Sequence, residues 1–137
     1  MKTKSISIRS KEREEMIDIT GLVGSSLKEL GISDGIGMVY VPHTTAGVII
    51  NEGADPDVAQ DILNRLATIA PRNAGYRHSE GNSDAHIKSA VVGQSVVFIV
   101  KNSSPLLGTW QRIFFCEFDG PRSRNVILAV IGESSEK

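Results

Sequence analysis

The 137-residue chain contains one cysteine, Cys116. A lone cysteine closes no disulfide within the chain. Its setting, Phe114-Phe115-Cys116-Glu117-Phe118, reads as a buried structural thiol rather than a nucleophile. No apolar run approaches the roughly 18 residues of a membrane span, and Met1 to Ser10 lacks the apolar h-region of a signal peptide. The expected address is the cytoplasm, with no membrane partner. A surplus of one charge is also missing. The formal net charge is −1, which argues against a dedicated nucleic-acid binder, because such surfaces carry excess positive charge. Lys2, Lys4, Arg9, Lys11 and Arg13 are locally basic, but Glu12, Glu14 and Glu15 interrupt them. That segment reads as a solvated strand face. Walker, Gly-x-Gly-x-x-Gly and His-Glu-x-x-His patterns are absent, as is any cysteine cluster. No Gly-x-Ser-x-Gly elbow appears either, since the letter match at Gly31-Ile32-Ser33-Asp34-Gly35 follows a helix and leads into a strand, the reverse of the strand-to-helix turn an elbow needs. Motif-based nucleotide, hydrolase-triad and zinc readings therefore have nothing to stand on.

The hydrophobic pattern predicts an α+β domain spanning residues 1–137. Ile6 and Ile8 alternate with Ser5, Ser7 and Arg9, the period of a half-buried strand over Thr3 to Ser10. Leu22, Val23, Leu27 and Leu30 repeat at helical spacing behind Thr20 as an N-cap, and Gly31 ends that helix. Gly35 to Val41 and Ala46 to Ile50 read as strands joined by Pro42-His43-Thr44-Thr45. Asp55 as N-cap and Pro56 at the first helical position open the clearest helix. Its stripe is Val58, Ile62, Leu63, Leu66 and Ile69, and Pro71 stops it. Ser83 is expected to cap a short helix over Asp84 to Val91, ended by Gly93. Ser95 to Val100 reads as a buried strand, Thr109 to Phe118 as the longest strand, Asn125 to Ile131 as the last, and Ser134 to Lys137 as a fraying end. Antiparallel sheets with two or three helices packed on them fit this order.

Chemistry concentrates in Tyr76-Arg77-His78-Ser79-Glu80-Gly81-Asn82-Ser83-Asp84-Ala85-His86, which holds two of the three histidines and almost no core-forming side chain. The third, His43, lies in a second polar knot with Thr44 and Thr45. Histidine serves as metal ligand or as acid and base near neutral pH, and all three sit beside Asp, Glu, Thr or Asn. Glu52 and Asp84 are the carboxylates suited to metal ligation or proton transfer. Strand-end solvation and helix-terminal charge explain them equally well. Arg122 and Arg124 carry planar guanidinium groups that suit phosphate or carboxylate, or that pair with the chain's own acids. Strand geometry adds a constraint. Gln111 and Glu117 lie about 20 Å apart at about 3.4 Å per residue, so both cannot touch one small ligand within one subunit.

His43-Thr44-Thr45-Ala46-Gly47, Asn51-Glu52, His78 through His86, Leu107-Gly108-Thr109-Trp110-Gln111 and Glu117-Phe118-Asp119-Gly120-Pro121-Arg122 occur in this order. With these gaps the chain resembles the YjbQ family, also described as secondary thiamine-phosphate synthases. The resemblance implies a compact fold with β-sandwich character and a homotrimer. It implies a transferase that joins hydroxymethylpyrimidine diphosphate to thiazole phosphate and releases pyrophosphate. Under it, His78, His86, Glu52 and Asp84 are the expected catalytic residues. Thr44, Asn51, Asn82, Trp110, Gln111 and Arg122 are expected to bind a small phosphorylated substrate. His43, His78 and His86 are expected to hold a divalent metal, Mg²⁺ if oxygen ligands dominate and Zn²⁺ if the histidines do. A non-catalytic binder of a phosphorylated metabolite or metal and a metal-dependent hydrolase are the competing expectations.

Overall fold

A computed structural model describes residues 1–134. Strands β1 (Lys2–Arg9), β8 (Ser123–Ser134), β3 (Ile32–Tyr40), β5 (Ser95–Lys101) and β6 (Ser104–Pro105) form a five-stranded sheet in that spatial order. Strands β2 (Glu15–Asp18), β7 (Gln111–Glu117) and β4 (Ala46–Glu52) form a three-stranded sheet. Every pairing is antiparallel. The sheets face each other across one core. Ile6, Ile8, Val39, Phe98 and Leu128 of the larger sheet meet Val48, Ile113 and Phe115 of the smaller. Helix α1 (Thr20–Leu30) closes this core at its side with Val23 and Leu27.

The opposite face of the small sheet has its own packing partner. Cys116, Phe118 and Ile49 pack against Leu66, Ile62 and Leu63 of α2 (Pro56–Ile69) and Ala85 and Val92 of α3 (Ser83–Val92). The order through the molecule is therefore large sheet, small sheet, helix pair. This is the expected α+β architecture with sandwich character and three helices. Period-two alternation along β7 explains how one strand serves both interfaces. Ile113 and Phe115 point to the sheet-sheet core, and Cys116 points to the helices. Burial pushes the Cys116 thiol up to about 12, which keeps it protonated and inert as the sequence suggests.

Several local expectations are corrected. Thr20 is the first residue of α1 rather than its N-cap. Its Oγ1 accepts from Ile113 N–H at 2.8 Å, and Asp18 Oδ1 accepts from Thr20 N–H at 3.0 Å. The hydroxyl thus ties the helix to the sheet. Asn82, not Ser83, precedes α3. Residues Glu15–Asp18, which had no strand assignment, form the edge strand β2 because they find β7 as a partner. The longest strand is β8, twelve residues, not β7 with seven. Finally, β5 is buried on one side only: Phe98 and Val100 face the core, whereas Val97 and Ile99 face outward. A continuous Val/Ile run does not distinguish a strand covered on both faces from one covered on one. Of the expected fraying end, Ser134 is the last residue of β8, and 135–137 lie outside the described residues.

Gly37 is required by packing. It pairs with Phe98 across β3 and β5, and a Cβ there would sit 2.5 Å from the Phe98 ring. Gly37→Ala is expected to destabilise the protein by about 1–3 kcal/mol through overpacking, read by urea denaturation. Adding Phe98→Leu should recover part of that loss. No recovery would mean that the ring is not what the methyl group meets.

Candidate functional site

The site is built on a buried ion pair. Glu117, at the end of β7, and Arg124, near the start of β8, are both buried. Arg124 Nε donates to Glu117 Oε1 at 2.9 Å, and Arg124 Nη2 donates to Glu117 Oε2. Glu117 also accepts from Ser10 Oγ at 2.7 Å and from Asp119 N–H at 3.0 Å. Burial alone would push this carboxyl up, but the bonds from Arg124, Ser10 and Asp119 outweigh it and hold Glu117 below the usual carboxylate range. Arg124 Nη2 donates onward to Thr45 Oγ1 at 2.8 Å and to the Thr45 carbonyl at 3.3 Å. The guanidinium therefore fixes the His43-Thr44-Thr45 connection against the sheet. Its Nη1 hydrogen-bonds no described residue.

Three further elements converge on the same place. His43 Nε2 lies 3.1 Å from Asn125 N–H and 3.0 Å from the Asn125 carbonyl. One ring nitrogen satisfies one of these at a time. When Nε2 accepts from the amide, the ring proton sits on Nδ1. The Asp119-Gly120-Pro121 turn brings in Arg122, whose Nη2 donates to Asp119 Oδ2 at 3.0 Å and whose Nε donates to the Asp119 carbonyl at 2.9 Å. Asn82 Nδ2 donates to the same Asp119 oxygen at 2.8 Å. Gly120 allows this turn to lie close, since a Cβ there would meet Glu12 O at 2.3 Å. From α3, half-buried His86 projects where three clefts meet. Its ring stands edge-on to that of His78, centroids 5.6 Å apart, and His78 Nε2 lies 3.2 Å from Glu80 Oε1. Together these residues line a cavity of about 390 Å³ with His43, Thr44, Asn82, His86, Asp119, Arg122 and Arg124 in its walls.

The structure thus gathers Thr44, His43, Asn82, His86 and Arg122, with His78 beside them. It places the other expected residues elsewhere. Asp84, in the first turn of α3, is fully buried. Arg13 Nη1 and Nη2 reach its two oxygens at 3.1 Å each, and Lys88 Nζ reaches Oδ2 at 3.2 Å. Lys88 also pairs with Glu14. Burial would raise the Asp84 pKa, but the bonds from Arg13 and Lys88 reverse that and lower it. The expectation of Asp84 as an acid, base or metal ligand is corrected: its carboxylate is consumed in anchoring α3 to the segment after β1. Asn51, Glu52, Trp110 and Gln111 lie at the far end of the small sheet. Ala46 pairs with Glu117 and Glu52 with Gln111, and six residues separate those ends by about 20 Å. There Glu52 Oε2 accepts from Asp55 N–H at 3.1 Å, and Gln111 Oε1 accepts from Gly108 N–H at 2.8 Å. The single site expected from the sequence is two regions within one chain.

The expected metal set is corrected as well. Among the described residues no group of three or more His, Cys, Asp or Glu side chains is placed to hold a metal ion. His43 is turned to the Asn125 backbone, and Asp84 and Glu52 are engaged elsewhere. The residues present do not fit the His43, His78 and His86 triad. Arg124, which the sequence marked as suited to an anion or to the chain's own acids but did not place among the site residues, both pairs with Glu117 and lines the cavity. Its signal was present: Glu117 falls on the inward side of an apolar strand, and a buried carboxylate requires a cation nearby.

A family model described as UPF0047 protein YjbQ-like matches residues 4–133. A UPF0047 protein of Methanocaldococcus jannaschii is 54% identical over 126 residues, covering 92% of this chain and 91% of that one. YugU of Bacillus subtilis, also a UPF0047 protein, is 50% identical over 130 residues, with 94% and 98% covered. Among solved structures, a YjbQ/UPF0047 protein of Clostridium acetobutylicum superposes with a TM-score of 0.90 at 48% identity, covering 93% of this chain and 99% of that chain. A hypothetical protein of Aeropyrum pernix gives 0.91 at 38% identity, covering 97% and 100%. These findings overturn the thiamine-phosphate synthase expectation. The matched relatives are uncharacterised UPF0047 proteins, and thiamine-phosphate synthase is a different protein family. No described helix is long and apolar enough to cross a membrane.

Asp84 and Glu117 both bind a proton less readily when folded than when unfolded. Their contribution to stability is complete above the ordinary carboxylate pKa of about 4 and is lost as pH falls through the lowered folded values. Asp84→Asn, which takes the carboxylate from Arg13 and leaves Lys88 with Glu14 alone, should cost about 3 kcal/mol near neutral pH. It should also flatten the acid side of the stability profile. Chemical denaturation at neutral and acidic pH reads both effects, and an unchanged acid slope would remove Asp84 from this account.

Proposed function

Because the chain belongs to the YjbQ-like UPF0047 family, we propose that the cavity between residues 42–45, α3 and the 119–124 turn binds a small phosphorylated metabolite. One observation supports this above the rest: the donors in its walls converge and are not used up. Arg122 and Arg124 each spend part of the guanidinium on Asp119 and Glu117, and the Nη1 of each bonds no described residue. The Thr44 hydroxyl and the ring nitrogens of His86 are likewise unengaged among the described residues. Planar N–H pairs and hydroxyls from opposite walls suit the tetrahedral oxygens of a phosphoryl group.

Charge argues for modest affinity. Two arginines face two carboxylates, so the cavity supplies directed donors more than bare positive charge. Ligand oxygens replace water on groups whose orientation the sheet ends already fix, which limits the ordering cost. Binding in the micromolar range follows. The cytoplasm, where phosphorylated metabolites reside and a lone buried thiol is at home, is the compartment that fits.

The test is a ¹H–¹⁵N NMR titration with inorganic phosphate and a panel of phosphomonoesters. Shifts should cluster at Thr44, His86 and Arg122. His86→Ala and Arg122→Gln should each weaken binding tenfold or more, about 1.4 kcal/mol, with an unchanged melting temperature. Absence of saturable shifts with every phosphate tested would sink the proposal. The melting control matters because His86 is only half-buried and bears no structural hydrogen bond through its ring.

A further inference from the structure

The cavity that gathers the unspent donors also holds a nucleophile. His86 lines it from α3, in company with Thr44, Arg122 and Arg124. Neither nitrogen of its ring hydrogen-bonds a described residue. His43, in the same walls, has its Nε2 held at the Asn125 backbone. Of these two histidines, only His86 has both nitrogens unengaged among the described residues.

Two neighbours give the His86 ring a direction. His78 stands edge-on to it, centroids 5.6 Å apart, and His78 Nε2 lies 3.2 Å from Glu80 Oε1. One imidazole therefore sets both the His86 ring and the Glu80 carboxyl, which also lines the cavity. The second neighbour is Asn82, four residues before His86 and so next to it on the surface of α3. Asn82 Nδ2 donates to Asp119 Oδ2 at 2.8 Å, which turns Oδ1 away from that carboxylate. Asn82 Oδ1 is buried and has no hydrogen-bond partner among the described residues. A buried acceptor left bare is costly and rare in a native fold.

Given phosphate binding as proposed above, we propose that this cavity hydrolyses phosphomonoesters through a phosphohistidine at His86 Nε2. In the first half, Nε2 attacks the phosphorus in line. The P–N bond forms as the P–O bond to the leaving alcohol breaks, and the alcohol oxygen takes the proton of the Glu80 carboxyl. In the second half, the Glu80 carboxylate takes a proton from water, whose oxygen attacks the phosphorus. The P–N bond breaks, its electron pair returns to Nε2, and inorganic phosphate leaves with Glu80 protonated again. Nothing is oxidised or reduced, and water is the one co-reactant. The free Nη1 groups of Arg122 and Arg124 stabilise charge on the phosphoryl oxygens. The same cycle accounts for the bare oxygen of Asn82. Once Nε2 bonds phosphorus the ring is a cation, and its Nδ1–H needs an acceptor. Asn82 Oδ1 receives that bond, which is stronger from a charged ring than from a neutral one. Its contribution therefore arises mainly in the transition state. Asn82 is a positioning residue for His86.

The test is hydrolysis of p-nitrophenyl phosphate by the full chain with EDTA present, followed by release of p-nitrophenol. His86→Asn should lower turnover by about a hundredfold or more, with an unchanged melting temperature. Glu80→Gln should accumulate a phosphoryl group on the protein, seen by intact mass after an alkaline quench and lost on acid treatment. p-Nitrophenolate leaves without an acid, so this variant passes the first half and stalls in the second. Asn82→Ala should lower kcat by about tenfold with KM changed less than about twofold. A loosened cavity wall would raise KM instead. Full turnover in His86→Asn, or no phosphoryl group on Glu80→Gln, would overturn the inference. If inorganic phosphate shifts the Thr44 and Arg122 resonances while wild type releases no p-nitrophenol, the binding reading stands and the reaction falls. If phosphate does not bind at all, both fall.

Discussion

The buried Glu117–Arg124 pair is the interaction on which the rest of the site depends. It joins the two sheets at the end where their strands leave the core. Removing two charges from water costs several kcal/mol per ion, and only good geometry and added hydrogen bonds offset it. Here Ser10, Asp119 N–H and Thr45 supply those bonds. The same bonds fix three otherwise irregular segments: the chain after β1, the turn after β7 and the connection before β4. A hydrophobic pair of equal volume would hold the sheets together. It would not specify where His43, Thr44 and Arg122 stand.

A second buried ion cluster acts on the helix side. Arg13 and Glu14 reach from the segment after β1 to Asp84 and Lys88 on α3. Residues 10–14 thus touch both clusters, through Ser10 on one side and Arg13 and Glu14 on the other. His86, one helical turn along from Asn82, takes its position from this anchoring, because α3 buries few apolar side chains of its own. Electrostatics does the work for α3 that hydrophobic burial does for α1.

Much of this was legible in the sequence where a side chain's role follows from local rules. Asp55 and Pro56 open α2, with Asp55 Oδ1 accepting from Asp57 N–H. Gly31 closes α1 in the left-handed region. The separation of about 20 Å between Gln111 and Glu117 follows from strand rise alone. What failed depends on partners distant in sequence. Thr20 looks like a cap until Ile113 arrives to take its hydroxyl. Asp84 looks like a free carboxylate until Arg13, 71 residues earlier, occupies it. Val97 and Ile99 look like core because nothing local says that one face of their sheet is left uncovered. The transferase reading came with the family resemblance, and the comparisons overturn it. The histidines and carboxylates that suggested a metal are not gathered into one ligand set, because each finds a separate place in the fold.

The pairing of β1 with β8 carries a consequence for the order in which the protein forms. Lys2 lies opposite Val130 and Arg9 opposite Ser123, so β1 finds its neighbour only once β8 has been made. The five-stranded sheet therefore cannot close before β8 has been made. Its central strand β3 waits for β8 as well. Contacts of such long sequence separation slow folding, and during that interval β1 and β3 offer unpaired edges to any passing strand. Ser5, Ser7 and Arg9 on the outward side of β1 reduce that hazard during synthesis. The apolar outward side of β3 has no such guard, and depends on how soon β8 emerges.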